Sequence, residues 1–200
     1  MKAFSLCGGS LCLDFVNTVD ERPGYVDGLP APAHADLLSS WSDFVDWARQ
    51  AGAANIKKAT AVTPNGAKKR LLRFQHLREQ IFRVLLSVVM HKTPPAREVA
   101  AINSELAKLS PIQLWVHNRE LRASRNPPET FEDIVLNALL QDLMLLLQRS
   151  DLSSRLRVCS ADECGWLFLD TSKSGRRRWC DMSDCGNREK ARRFAQRESR

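Results

Sequence analysis

A chain of 200 residues, 44% of them hydrophobic, can bury one ordinary core and carry at most a small appendix. No stretch reaches the roughly 18 apolar residues of a membrane-spanning helix, and Asp14 interrupts the N-terminal MKAFSLCGGSLCLDF before any small-residue cleavage site. Neither a membrane protein nor an exported one is expected, and a cytoplasmic setting would keep its thiols reduced. The net charge of +7 is uneven, with 12 Lys/Arg against 7 Asp/Glu in residues 155–200 and 18 against 16 in residues 1–154. A basic C-terminal part suggests a polyanionic partner, with nucleic acid first.

In chain order, Gly8-Gly9 precedes an apolar run in which Leu11, Phe15 and Thr18 recur at helical spacing, so a helix is expected to start near Ser10. Residues 21–35 are rich in Pro and Gly and read as a loop. A helix from Ser40 to Gln50 has Ser40 as N-cap, an apolar face of Trp41, Phe44, Val45 and Ala48, and Gly52 as its stop. From about Pro64 to Met90, Leu71, Phe74, Leu77, Ile81, Leu85 and Val88 keep a period of three or four, and Lys68, Lys69, Arg70, Arg73 and Arg78 decorate the first half. Thr93 and Pro94 predict the cap and first residue of a helix lasting to about Leu109, where Pro111 stops it. Ile112, Leu114 and Val116 alternate before a turn near Asn118, which predicts a β-hairpin over 112–124. Asn126-Pro127-Pro128 reads as a loop, and Thr130 to Arg149 as an apolar helix central to the core. The polar stretch Ser150 to Ser154 divides the chain into parts spanning 1–150 and 155–200, packed together rather than loosely tethered.

The second part carries Cys159, Cys164, Cys180 and Cys185 as C-x4-C-x15-C-x4-C. Two close thiol pairs supply a tetrahedral sulfur cage at little chain-entropy cost, the arrangement of a structural zinc site. An iron–sulfur cluster could use the same ligands, but no electron-transfer context accompanies them and the paired knuckles favour zinc. Four thiolates leave no open position for catalysis. Gly165 relieves crowding after the first knuckle, Trp166 to Leu169 reads as a strand, Thr171 to Gly175 as a turn and Arg176 to Trp179 as the returning strand. Asn187 to Arg197 is helical, with an Ala191, Phe194 and Ala195 edge able to dock on a small core of Trp166, Phe168 and Trp179. About 45 residues can hardly hold together by burial alone, so the metal supplies much of the folding energy. Cys7 and Cys12 repeat the four-residue spacing, but their apolar neighbours and the lack of a second pair make them buried core thiols.

The expected fold is thus a mainly α N-terminal domain with a small β-hairpin, followed by a small zinc-binding module of β-hairpin plus helix. Cys180 to Arg188, C-D-M-S-D-C-G-N-R, resembles the CGNR zinc finger, as do the preceding Trp179 and the Ala191-Arg192-Arg193-Phe194 segment. Gly8 to Val19, G-G-S-L-C-L-D-F-V-N-T-V, resembles the opening of the ABATE domain that usually precedes this finger. The resemblance covers nearly the whole chain. It implies a stress-induced bacterial transcription regulator whose finger contacts DNA.

Arg176, Arg177, Arg178, Arg188, Lys190, Arg192 and Arg193 are the candidate DNA contacts, since Arg pairs bidentately with phosphate or guanine. Asp14, Asn17, Thr18 and Arg22 are polar groups in or beside an apolar segment and form a candidate small-molecule site in the helical part. The competing reading is a protein-interaction or dimerisation module with structural zinc and no nucleic acid. An enzyme is not expected: His34, His76, His91 and His117 are dispersed, and no Walker loop, GxSxG or GxGxxG is present.

Overall fold

Ser10, in extended backbone, accepts the Leu13 amide and starts α1 (Leu11–Val16) where the spacing places it. The structure is a computed structural model describing residues 2–20, 22, 25–26, 29–30, 36–54, 64–109, 111–125, 130–162 and 164–198. Six residues cannot sustain a helix by propensity alone. Burial of Cys12, Leu13, Phe15 and Val16 sustains α1, and Asp142 accepts the Cys12 amide at 2.8 Å, where the helix dipole favours a carboxylate. The stretch 21–35 lies largely outside the described residues. Within it, β1 (Tyr25–Val26) pairs antiparallel with β2 (Leu29–Pro30).

The second helix, α2 (Trp41–Gln50), opens with a capping box. Ser40 Oγ accepts the Asp43 amide and Asp43 accepts the Ser40 amide. It ends before Gly52, whose φ of 69° a side chain would resist. The long α3 (Pro64–Val89) buries Leu71, Phe74, Leu77, Ile81 and Leu85 of the periodic positions, with Val88 half-buried against the core, and also Phe82 and Leu86. The next helix, α4 (Ala96–Leu106), starts later than expected, with Pro95 at its cap and no side-chain cap. Two prolines in a row are the reason: a proline disfavours helical backbone at the residue before it, so Pro95 works against a helix beginning at Pro94, and Pro95 itself is extended. Beyond Leu106 only turn bonds continue to Leu109.

The hairpin forms as expected. β3 (Ile112–His117) pairs antiparallel with β4 (Glu120–Arg125), and Asn118 and Arg119, both at positive φ, make the two-residue turn. The Asn126–Pro128 stretch lies outside the described residues. Thr130 Oγ1 caps α5 (Phe131–Leu147) through the Asp133 amide, and Glu132 turns back to pair with Arg70. Phe15 of α1, Phe44 and Trp47 of α2, Phe74 of α3 and Phe131 of α5 meet in one aromatic cluster. Its Phe44 and Phe74 centroids are 4.3 Å apart. No helix among the described residues is long and apolar enough to cross a membrane.

A short turn of helix, α6 (Leu152–Arg155), leads into β5 (Leu156–Val158), which pairs antiparallel with β6 (Leu167–Leu169). The first thiol pair lies between these strands. The returning strand expected at Arg176–Trp179 does not form. A strand must bury alternate side chains, and Leu156 of β5 reaches the helical core, which an Arg-Arg-Arg-Trp run cannot do. The Arg177 amide is instead bonded to Asp170 Oδ2 at 2.9 Å, and the Arg178 carbonyl accepts the Ser160 amide. Met182–Gly186 forms a π-helical turn that continues directly into α7 (Asn187–Glu198).

Candidate metal centre

β6 gives the metal centre its support. Period-two alternation sends Leu167 and Leu169 into the helical core and Phe168 to the other side, against the cysteines. The N-terminal segment seals the junction. The Leu169 amide donates to the Gly8 carbonyl at 2.8 Å, and Trp166 Nε1 donates to the Val19 carbonyl. The Arg22 amide donates to the Cys164 carbonyl at 3.2 Å.

Cys159 and Cys164 stand on a knuckle closed by the Cys159 amide on the Trp166 carbonyl at 2.8 Å, and Gly165 turns the chain at a φ of 61°. On the second knuckle Asp181 accepts the Ser183 amide and hydroxyl, and the Gly186 amide reaches back to the Asp181 carbonyl. The C-G-N-R run divides its work in this turn. Cys185 supplies a sulfur, and the Gly186 Cα lies where a Cβ would meet Met182 Sδ at 2.6 Å. Asn187 Nδ2 donates to the Ser183 carbonyl, and Arg188 donates to Cys185 Sγ at 3.2 Å.

All four Sγ atoms are buried and lie within 4.8 Å of one another. Cys164 to Cys180 and Cys180 to Cys185 are each 3.6 Å. A tetrahedral ion with Zn–S bonds of about 2.3 Å needs sulfurs about 3.8 Å apart, so the residues present fit zinc. Hydrogen bonding from Cys164 pulls the Cys159 thiol far below the usual range, while hydrogen bonding with Cys159 pushes Cys164 and Cys180 up. The cage's negative charge is offset by Arg188 and by the Cys180 amide, 3.4 Å from Cys159 Sγ. Trp166 and Phe168 pack on the sulfurs, with Ala161, Trp179 and Cys7 at the edge.

The candidate DNA residues separate into three groups. Arg176, Arg178 and Lys190 are exposed, and their side chains pair with no carboxylate among the described residues. Arg188, Arg192 and Arg193 are exposed but paired: Arg188 with Asp184, Arg192 with Asp162 and Glu189, Arg193 with Glu189. Arg177 is committed inward. Its guanidinium lies 4.8 Å from the Phe168 ring and donates to the Trp179 and Cys180 carbonyls. Although no strand forms here, Arg176 and Arg178 face solvent and Arg177 faces the metal core. The apolar edge of α7 also stays undocked, with Phe194 64% exposed; the buried side chain of this helix is Glu189.

Asp14, Asn17, Thr18 and Arg22 are not gathered around one cavity; each is engaged by internal partners. Asp14 accepts the Gly8 amide at 2.8 Å, and Asn17 both donates to and accepts from the Leu167 backbone at 2.8 and 3.0 Å. Thr18 donates to the Phe15 carbonyl and accepts from Arg78. Arg22 forms a bidentate pair with Glu79 and stacks 3.8 Å from the Phe82 ring centre. None of the four lines the largest groove described, about 770 Å³ between α3 and α4 and edged by Lys69, Arg73, His76 and Lys108.

Two residues at the centre are not legible as such in the sequence. Glu189 sits in a basic helix with nothing local to mark it as buried. Cys7, expected in the helical core that holds Cys12, instead packs on the metal cluster because its segment runs beside β6. Its spacing from Cys12 carries no hint of that.

The fold and site define a helical domain with a four-cysteine structural zinc module built onto it. The chain belongs to the ABATE family, described as "Putative stress-induced transcription regulator", whose model matches residues 9–149. Residues 155–198 match the CGNR zinc finger. No curated protein matches the chain.

Proposed function

We propose that the protein is a DNA-binding transcription regulator, not an enzyme, in which the finger contacts the phosphate backbone through cations held on a zinc-fixed frame. The observation that carries this reading is the set Arg176, Arg178 and Lys190, exposed and, among the described residues, unpaired with carboxylates. Arg188, Arg192 and Arg193 add to it, because exposed ion pairs are worth only about 0–1 kcal/mol and can exchange a carboxylate for a phosphate. The family description supports the regulatory role. A small-molecule input through the helical domain is not part of the reading, because Asp14, Asn17, Thr18 and Arg22 are spent on internal bonds.

The test is binding of the zinc-loaded protein to fluorescent duplex DNA across a salt series. Arg176→Ala with Arg178→Ala is expected to weaken binding about tenfold and to lower the salt slope by about two, with zinc retained. Unchanged affinity would move the DNA surface elsewhere, and no binding at low salt would end the reading. A second reading, an interaction or dimerisation module without nucleic acid, is favoured by Phe194 and Met182, 64% and 48% exposed on the finger. Salt-insensitive self-association in sedimentation, lost in Phe194→Ala, would establish it.

A further inference from the structure

Five thiols, not four, gather at the metal centre. A tetrahedral ion is complete with Cys159, Cys164, Cys180 and Cys185. Cys7 is left as an uncoordinated sulfur packed against the cage, on the same crevice as Cys180. The two line a crevice of about 30 Å³ together with Cys164, Cys185 and Arg188. That volume admits one water-sized molecule. Cys7 is half-buried, so solutes reach it. Cys12 is the contrast: fully buried among the helices and away from the sulfurs.

We propose that Cys7 is an oxidation site for hydroperoxides that controls the metal centre by forming a disulfide with Cys180. In the first step the Cys7 sulfur attacks the peroxide O–O bond. It takes the terminal OH to become a sulfenic acid, and the other oxygen leaves as an alcohol, or as water from hydrogen peroxide, with the thiol proton. In the second step Cys180 Sγ attacks the Cys7 sulfur, the S–S bond forms, and hydroxide leaves and is protonated to water. The two sulfurs lose two electrons and the peroxide gains them. Cys180 then no longer offers a thiolate, three ligands remain, and the site releases its metal. A thiol reductant restores both sulfurs and the cage.

The experiment treats the full-length zinc-loaded protein with dilute hydrogen peroxide while a chelating dye reports released zinc, and then maps disulfides by peptide mass spectrometry. The expected result is zinc release with a Cys7–Cys180 disulfide, reversed by dithiothreitol. Cys7→Ser should slow release about tenfold, while Cys12→Ser should leave the rate unchanged. Release from Cys7→Ser at the wild-type rate overturns the proposal. If that variant does not load zinc, the wild-type map decides: disulfides only among the four cage cysteines overturn it equally.

Discussion

In the helical core, apolar side chains of α1, α2, α3 and α5 interlock around Phe15, Phe44, Trp47 and Phe74. In the metal core, among the described residues, only Trp166 and Phe168 are buried beside the four sulfurs. The first has enough apolar area to stand on burial. The second does not, and leans on metal binding for folding energy. The two are nevertheless coupled, because β6 belongs to both. Its leucines face the helices and its phenylalanine faces the thiols, and the 2–22 segment bonds to the strand and to the first knuckle. The metal module is therefore built on the helical domain rather than hung from it.

The largest expected effect comes from removing the metal. Complete chelation, or Cys164→Ser, should abolish the order of residues 159–186, since structural zinc contributes roughly 10–16 kcal/mol of apparent binding energy. Hydrogen exchange should then show lost protection around Cys159 and Cys180 while α5 stays protected; an unchanged finger after full metal loss would break the comparison. Phe74→Ala in the helical core should cost about 3–5 kcal/mol. Because β6 is shared, thermal unfolding should lower the zinc-release temperature together with the helical transition. Separate transitions would show that the cores are independent.

Asn17→Ala tests the seam itself. It leaves the buried Leu167 amide and carbonyl without their side-chain partner, which should cost about 2–3 kcal/mol. Exchange at Leu167–Leu169 should rise more than exchange within α3. Equal changes in both would show that Asn17 serves general stability only.

The smallest effect is a pH dependence on the helical side. Burial raises the Asp14 pKa to about 6 from an ordinary 3.8, against the opposing Gly8 amide. The folded state therefore binds the proton more tightly than the unfolded chain, and Asp14's contribution weakens as pH rises from about 4 to about 6. Asp14→Asn keeps an acceptor for Gly8 and removes the charge. The variant should gain on wild type in denaturant midpoint through that window and hold a constant lead above it. A lead independent of pH would show that Asp14 does not titrate there.

What the sequence carried is what short spacing controls. Two C-x4-C pairs define a cage by local geometry, and Ser40 with Asp43 defines a helix start within one turn. Pro94 followed by Pro95 shows that even local signals interact, since each proline constrains its neighbour's backbone. Tertiary packing decided which segment pairs with β6, because an antiparallel partner is chosen by where its alternate side chains can be buried, and Leu156 and Val158 of β5 reach the helical core. It also turned Arg177 inward, drew Glu189 under two arginines, and set Cys7 beside sulfurs that are distant along the chain. Such placements follow from contacts between residues far apart in the chain, which leave no periodicity along it.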